Sequence, residues 1–219
     1  MTSEPPRQRA GRRSRPLRAA DPDIVPGPPD DIQDAYLKRA VAELGALNDE
    51  IGAHGARRGG ASLPVLSSGS PQAEIVLVKY AASLAERQEG VAFFGRAGTA
   101  VLKSVQRLGI DPLTLYGTLC VKLDDVGFEP DWLAREIQIV MPRLVVPMGP
   151  RAVAALDAIG HPGARPLADR PGELQRWTPA TDAIVVPDID ASLDAQEAKR
   201  EWWTAFRAVG EWHQSQPPF

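Results

Sequence analysis

Short apolar runs and longer amphipathic segments alternate along most of this chain. The apolar runs predict strands at residues 75–78, 114–122, 144–148 and 184–187, with a shorter strand at 63–66. The run 144–148 is continuously apolar, as is typical of a strand buried on both faces of a parallel sheet. Helical spacing of apolar residues predicts helices at residues 32–50, 97–108, 130–140, 151–159 and 195–212. This order predicts an α/β fold, a three-layer α/β/α domain around a central four-stranded parallel sheet.

Glycine and proline mark the predicted connections. The proline-rich residues 21–30 form a linker, and the glycine-rich residues 52–62 predict a loop in which His54 is solvated. Residues 67–71 predict a turn and residues 160–182 an irregular segment. Ligands of such sheets bind at the carboxyl ends of the strands. The candidate site loops are therefore residues 79–96, 123–128, 149–151 and 188–194.

The length of 219 residues suits one domain with tails. We predict a disordered basic segment and linker at residues 1–30, an α/β domain at 31–214 and a free end at 215–219. The apolar runs are too short to span a membrane and the first residues do not resemble a signal peptide, so a cytoplasmic protein is expected. The single cysteine, Cys120, excludes a disulfide framework and is expected to be a buried, inert thiol.

Positive charge is concentrated in the first twenty residues. Six arginines there oppose one glutamate, a net charge of about +5 in a chain of net charge −3. The six are Arg7, Arg9, Arg12, Arg13, Arg15 and Arg18. Such a composition cannot bury a core, which favours a solubilising leader. The alternative is an arm that contacts the phosphates of DNA or RNA.

Five motifs lie in register along the chain. They are GSP-x-AEIVLV, G-x-x-FFGRAG, LGI, LYGTLCVK and MPRLVVPMGPRAVAAL, between residues 69 and 156. Together they resemble the iron–sulfur-containing uracil-DNA glycosylases of bacteria and archaea, and the resemblance covers about residues 45–212. It implies a uracil-DNA glycosylase-like fold and a link to DNA repair.

The resemblance assigns family positions to residues of this chain. Tyr80 stands at the catalytic carboxylate position and Asp190 at that of the catalytic histidine. Phe93 keeps the ring that stacks on a flipped base, while Leu119 replaces the amide that reads the edge of the base. The implied DNA-backbone contacts are Gly95, Arg96, Ala97, Gly98 and Ser192.

The cysteines that hold the family's iron–sulfur cluster are absent, so neither this cluster nor another cofactor or metal is expected. Their positions map to residues 52–55, to Leu123 and near Phe128, and a small hydrophobic contact is expected in their place.

These substitutions remove the usual chemistry. Leu119 has no donor or acceptor, so a buried uracil edge would lose about 1–3 kcal/mol per unpaired group. A carboxylate at Asp190 would repel the departing uracil anion. We therefore expect a catalytically degenerate glycosylase-like protein that binds nucleic acid or a protein partner. The alternatives are an active DNA glycosylase of altered specificity, using an aspartate of residues 188–194 or water alone, and an unrelated α/β enzyme for a nucleotide or small molecule.

Local alternatives remain open from the sequence. Phe93 and Phe94 could form a base-stacking platform or belong to the core. Residues 95–98 could form a phosphate-binding site or a tight turn. Five aspartates near the predicted strand ends suit a metal cluster or a solvated acidic rim. They are Asp124, Asp125, Asp188, Asp190 and Asp194.

Overall fold

The computed structural model of this chain describes residues 29–57 and 63–217. The predicted basic segment lies outside the described residues up to residue 28. The helices are α1 (Pro29–Arg57), α2 (Leu84–Glu89), α3 (Arg96–Arg107), α4 (Pro130–Val140), α5 (Pro150–Ala158), α6 (Ile189–Ser192) and α7 (Gln196–Ser215). The strands are β1 (Ser68–Gly69), β2 (Ile75–Lys79), β3 (Leu115–Leu119), β4 (Val121–Leu123), β5 (Gly127–Phe128), β6 (Leu144–Met148), β7 (Leu174–Arg176) and β8 (Asp182–Ile184).

The main sheet has six strands in the order β1-β3-β2-β6-β8-β7. Its four central strands are parallel, and the edge strands β1 and β7 pair antiparallel with β3 and β8. The sheet is therefore mixed and wider than the predicted four strands. The two edge strands are two and three residues long, too short to show a hydrophobic pattern, and they fall in the predicted turn and irregular segment.

Helices cover both faces of this sheet. Val76 and Val78 of β2 pack in one core with α4 and α5. Ile75 and Leu77 pack in a second core with α3 and α7. Because successive strand residues point to opposite faces, β2 divides its side chains between the two cores.

Helix α1 is longer than predicted, because it begins at Pro29 and continues into the glycine-rich segment as far as Arg57. Leu47 and Ile51 pack against Trp132 of α4. The His54 ring meets the Trp132 ring edge-on at 5.4 Å between centroids, so the prediction of a solvated loop histidine is wrong. Tertiary packing outweighs the low helix propensity of glycine here.

The predicted strand at residues 114–122 is interrupted at Cys120. Its first part is β3, and its second part, β4, forms a separate two-stranded sheet with β5. The predicted strand at residues 63–66 is reduced to one bridge between Leu66 and Val91. Of the predicted strand at residues 184–187, only Ile184 lies in β8, and Val186 forms an isolated bridge with Met148. Within the described ranges, no helix is long and apolar enough to cross a membrane.

Candidate functional site

The carboxyl ends of β2 and β3 place two side chains next to each other on one face of the sheet. Lys79 and Leu119 are register partners in this parallel pair. By alternation they face the side of α3 and α7, whereas Tyr80 faces the side of α4 and α5. We call Lys79, Glu86, Phe93, Leu119 and Asp190 the strand-end site.

A buried lysine and two carboxylates form the centre of the strand-end site. Lys79 Nζ lies 2.8 Å from Glu86 Oε2 and 2.6 Å from Asp190 Oδ2. The side chains of Lys79 and Glu86 are 2% and 0% exposed, and that of Asp190 is 37% exposed. The group therefore carries two negative charges against one positive charge, and the excess carboxylate is the one that reaches solvent.

Glu86 is placed by the first turn of α2. The Ser83 side chain accepts a hydrogen bond from the Glu86 N–H at 3.4 Å, and Glu86 Oε2 accepts one from the Ser83 N–H at 2.7 Å. This is a capping box, whose Ser-x-x-Glu spacing is visible in the sequence. That spacing was the available signal for Glu86, and a lysine ending an apolar strand was the signal for Lys79. Neither residue was among the predicted site residues.

Phe93 is held in a strained backbone conformation with φ +60°. Its N–H donates to Glu86 Oε1 at 2.5 Å. A Cβ at Gly117 would lie 2.5 Å from the Phe93 ring, and one at Gly98 would lie 1.7 Å from the Phe93 carbonyl oxygen. The two glycines thus allow the close approach of Phe93 to the sheet and to α3. The ring centroid lies 5.5 Å from Lys79 Nζ.

The wall beside Phe93 is apolar. Leu119 is 0% exposed and packs in one cluster with Val65, Ala82 and Ala92, against which Phe93 also packs. A cavity of about 220 Å³ adjoins the Phe93 ring on the side of α3. Its lining residues are Ser68, Gly69, Leu77, Phe93, Gly98, Val101, Leu102, Pro112, Leu115 and Gly117. The Ser68 hydroxyl already donates to the Ala92 carbonyl at 2.9 Å, so this space offers few groups to read the edge of a base.

Tyr80 does not lie beside Phe93, because it is on the opposite face of the sheet. Its ring packs under the Arg151 guanidinium, whose Cζ lies 3.8 Å from the ring centroid. Phe128 lies on the same side, with its ring centroid 6.5 Å from that of Tyr80. The position assigned to the catalytic carboxylate is thus separated by the sheet from Phe93 and Asp190.

The α6 segment brings Asp190 to Lys79. The Asp188 side chain caps α6 by accepting from the Asp190 N–H at 2.9 Å. The Ser192 hydroxyl is buried and donates to the Asp188 carbonyl at 2.6 Å, so it serves this turn. Arg96 pairs with Asp194 at 2.9 Å and donates to the Leu193 carbonyl at 3.1 Å. Segment 188–194 is thereby attached to the start of α3.

The predicted backbone contacts at the start of α3 differ in accessibility. Ala97 and Gly98 are buried, while the Arg96 side chain is 71% exposed. At the neighbouring rim, Arg87 pairs with Asp124 at 3.0 Å. Among the described residues, no group of three or more metal-binding side chains is present, so the five aspartates do not form a metal cluster there.

Two of the positions that replace the cluster cysteines, Leu123 and Phe128, pack in different apolar clusters. Leu123 packs with Leu47, Ile51 and Trp132, whereas Phe128 packs against the core on the α4 and α5 side. Cys120 is buried as predicted, and burial raises the pKa of its thiol to about 12.

A second buried ion pair lies on the face of α4. Lys122 Nζ is 2.7 Å from Glu136 Oε2, and both side chains are almost fully buried. Glu136 also accepts from the Thr118 hydroxyl at 2.5 Å and the Tyr116 hydroxyl at 3.2 Å. Burial raises the pKa of Tyr116. This group joins α4 to β3 and β4, and we assign it a structural role.

A scan against models of protein families and a search of curated proteins both find no match for this chain.

Proposed function

We propose that this chain is a uracil-DNA glycosylase-like α/β/α protein that has lost base excision and acts as a binding module, with a protein as its partner. The observation that carries the proposal is the buried group of Lys79, Glu86 and Asp190 beside Phe93. In this proposal the four central parallel strands are the glycosylase-like part of the sheet, and its strand-end pocket is filled by ionised side chains of the chain itself.

Loss of excision is supported by the polarity of the site. Leu119 offers no hydrogen bond, and each unpaired polar group of a buried uracil would cost about 1–3 kcal/mol. Asp190 and Glu86 place two carboxylates beside the single amine of Lys79, and this excess of negative charge opposes an anionic leaving group. Stacking on Phe93 alone therefore does not supply excision chemistry.

A protein partner is supported by the surface around the site. Arg96, which the resemblance assigns to a DNA-backbone contact, already pairs with Asp194, and the exposed Arg87 pairs with Asp124. In the segment between β2 and α3, Leu84, Val91 and Phe94 expose 64%, 37% and 46% of their surface. Several exposed apolar side chains in one short segment beside a site favour a protein-binding surface.

Two assays test the proposal. A uracil-release assay on single- and double-stranded DNA is expected to show no turnover by the full-length protein; turnover that Asp190→Ala abolishes would overturn loss of excision. For binding, Leu84→Ser and Phe94→Ser are expected to release a captured partner. Leu113→Ser, at a residue 76% exposed on the 3₁₀ turn Pro112–Thr114, is the matched control and should retain it.

DNA binding separates the two partner classes. Salt-dependent binding that disappears on removing residues 1–20 would assign nucleic-acid binding to the arginine-rich segment. Binding that survives this removal would replace the protein partner by a nucleic acid.

The second candidate is an active DNA glycosylase of altered specificity. It is favoured by the 37% exposure of the Asp190 side chain, which lets this carboxylate contact water at the strand-end site. Turnover assays on DNA that carries modified bases other than uracil distinguish the two candidates, because only the second expects base release that Asp190→Ala abolishes.

A further inference from the structure

Glu86 and Asp190, whose carboxylates both contact Lys79, differ in their other contacts. Glu86 is fully buried and accepts hydrogen bonds from Lys79 Nζ, the Ser83 N–H and the Phe93 N–H at 2.8, 2.7 and 2.5 Å. It is therefore part of the internal structure of the loop. Asp190 reaches Lys79 from segment 188–194, at 2.6 Å, with 37% of its side chain exposed. Of the two, Asp190 is the carboxylate that can leave without breaking the loop.

The groups around Lys79 Nζ differ in their exposure to solvent. Glu86 lies on one side, and the Phe93 ring centroid is 5.5 Å away on another. Asp190 covers the amine where the site reaches solvent. Since Glu86 already neutralises Lys79, the Asp190 charge is in excess, and its release would cost less than that of Glu86.

We propose that Lys79 Nζ is a binding position for an oxyanion of an external ligand, and that Asp190 occupies this position as an internal substitute until the ligand displaces it. The ligand group is a carboxylate or a phosphate, because both present an oxygen with the charge that Asp190 now supplies. The inference rests on the proposed binding role of this edge of the sheet and adds the chemistry of the group that binds.

Asp190→Ala in the full-length protein tests the inference. Acetate and inorganic phosphate are titrated separately at constant ionic strength, and the thermal unfolding midpoint is followed. Removing a competitor that occupies the position about nine-tenths of the time should lower the apparent Kd by about tenfold. Acetate acting alone identifies a carboxylate ligand, and phosphate acting alone identifies a phosphate ligand.

Two further variants make the test specific. Asp194→Ala removes an aspartate of the same segment that pairs with Arg96 instead of Lys79. Arg96 can still donate to the Leu193 carbonyl, so the segment keeps an attachment to α3 and both titrations should remain as in the unchanged protein. Lys79→Met combined with Asp190→Ala should abolish the gained binding. If this double variant does not fold, the comparison of Asp190→Ala with Asp194→Ala decides.

The outcomes separate this inference from the proposed function. A folded Asp190→Ala variant whose midpoint responds to both anions no more than that of Asp194→Ala would show that Asp190 is only structural, and would overturn the inference alone. Uracil release by the unchanged protein would overturn the proposed function alone, since the anion titration involves no excision.

Discussion

Replacing Lys79 with methionine tests the energetic role assigned to the strand-end site. The variant keeps the length of the side chain but leaves Glu86, which is 0% exposed, without its cation. Breaking a buried ion pair on one side costs about 3–5 kcal/mol. Glu86 retains two backbone N–H donors and Asp190 can rehydrate, so we expect the lower end, a loss of about 3 kcal/mol in the free energy of unfolding.

The loss is measured by urea unfolding, followed by tryptophan fluorescence and far-ultraviolet circular dichroism. In a domain of this size it corresponds to a decrease of about 6–12 °C in Tm. Arg170→Met is the matched control, because it removes the cation of the Arg170–Glu173 pair, whose side chains are 66% and 48% exposed. That change should cost less than about 1 kcal/mol.

Equal losses in the two variants would refute this reasoning. They would show that water reaches Glu86 once Lys79 is removed, and that the site is more open than its geometry indicates. A Lys79→Met loss below about 1 kcal/mol would have the same meaning.

Three further predictions concern other parts of the chain. Burial raises the pKa of Cys120 to about 12, so the thiol ionises at a lower pH in the unfolded chain than in the folded protein, and the free energy of unfolding should fall as pH rises from about 9 to 12. Urea unfolding at several pH values should show that Cys120→Ala reduces this slope by up to about 1.4 kcal/mol per pH unit. Gly98→Ala should destabilise by about 1–3 kcal/mol, since its Cβ would overlap the Phe93 carbonyl oxygen, whereas Gly45→Ala, with open space around it, should stabilise α1 by about 0.5–1 kcal/mol. A higher Tm for Gly98→Ala than for Gly45→Ala in thermal unfolding would contradict these two predictions. Ser83→Ala should cost about 1 kcal/mol through loss of the α2 cap, and an unchanged Cm would exclude the capping role.

The local pattern of apolar residues was sufficient to predict the bounds of several helices and of one central strand. Helix α4 and strand β6 have the predicted bounds, and α3, α5 and α7 begin or end within a few residues of theirs. The apolar residues of the helices repeat with the helical period, and β6 is a continuous apolar run, so local pattern and burial agree. Short edge strands such as β1 lack any such repeat, and their pairing depends on a partner distant in sequence.

The candidate site was predictable only in part. Phe93, Leu119 and Asp190 were selected from the sequence and lie at one carboxyl edge of the sheet. Tyr80 was grouped with them, but one step along a strand reverses the direction of a side chain. In the structure, Lys79 occupies the place in the site that the sequence resemblance had assigned to Tyr80.

The sequence by itself determined an α/β chain of alternating strands and helices and the apolar identity of position 119. Each follows from residues close together in the chain. Only the tertiary structure decided that Lys79 would be buried between Glu86 and Asp190. That arrangement depends on strand register and on the path of segment 188–194, and a buried charge is tolerated only where folding brings a partner of opposite charge to it.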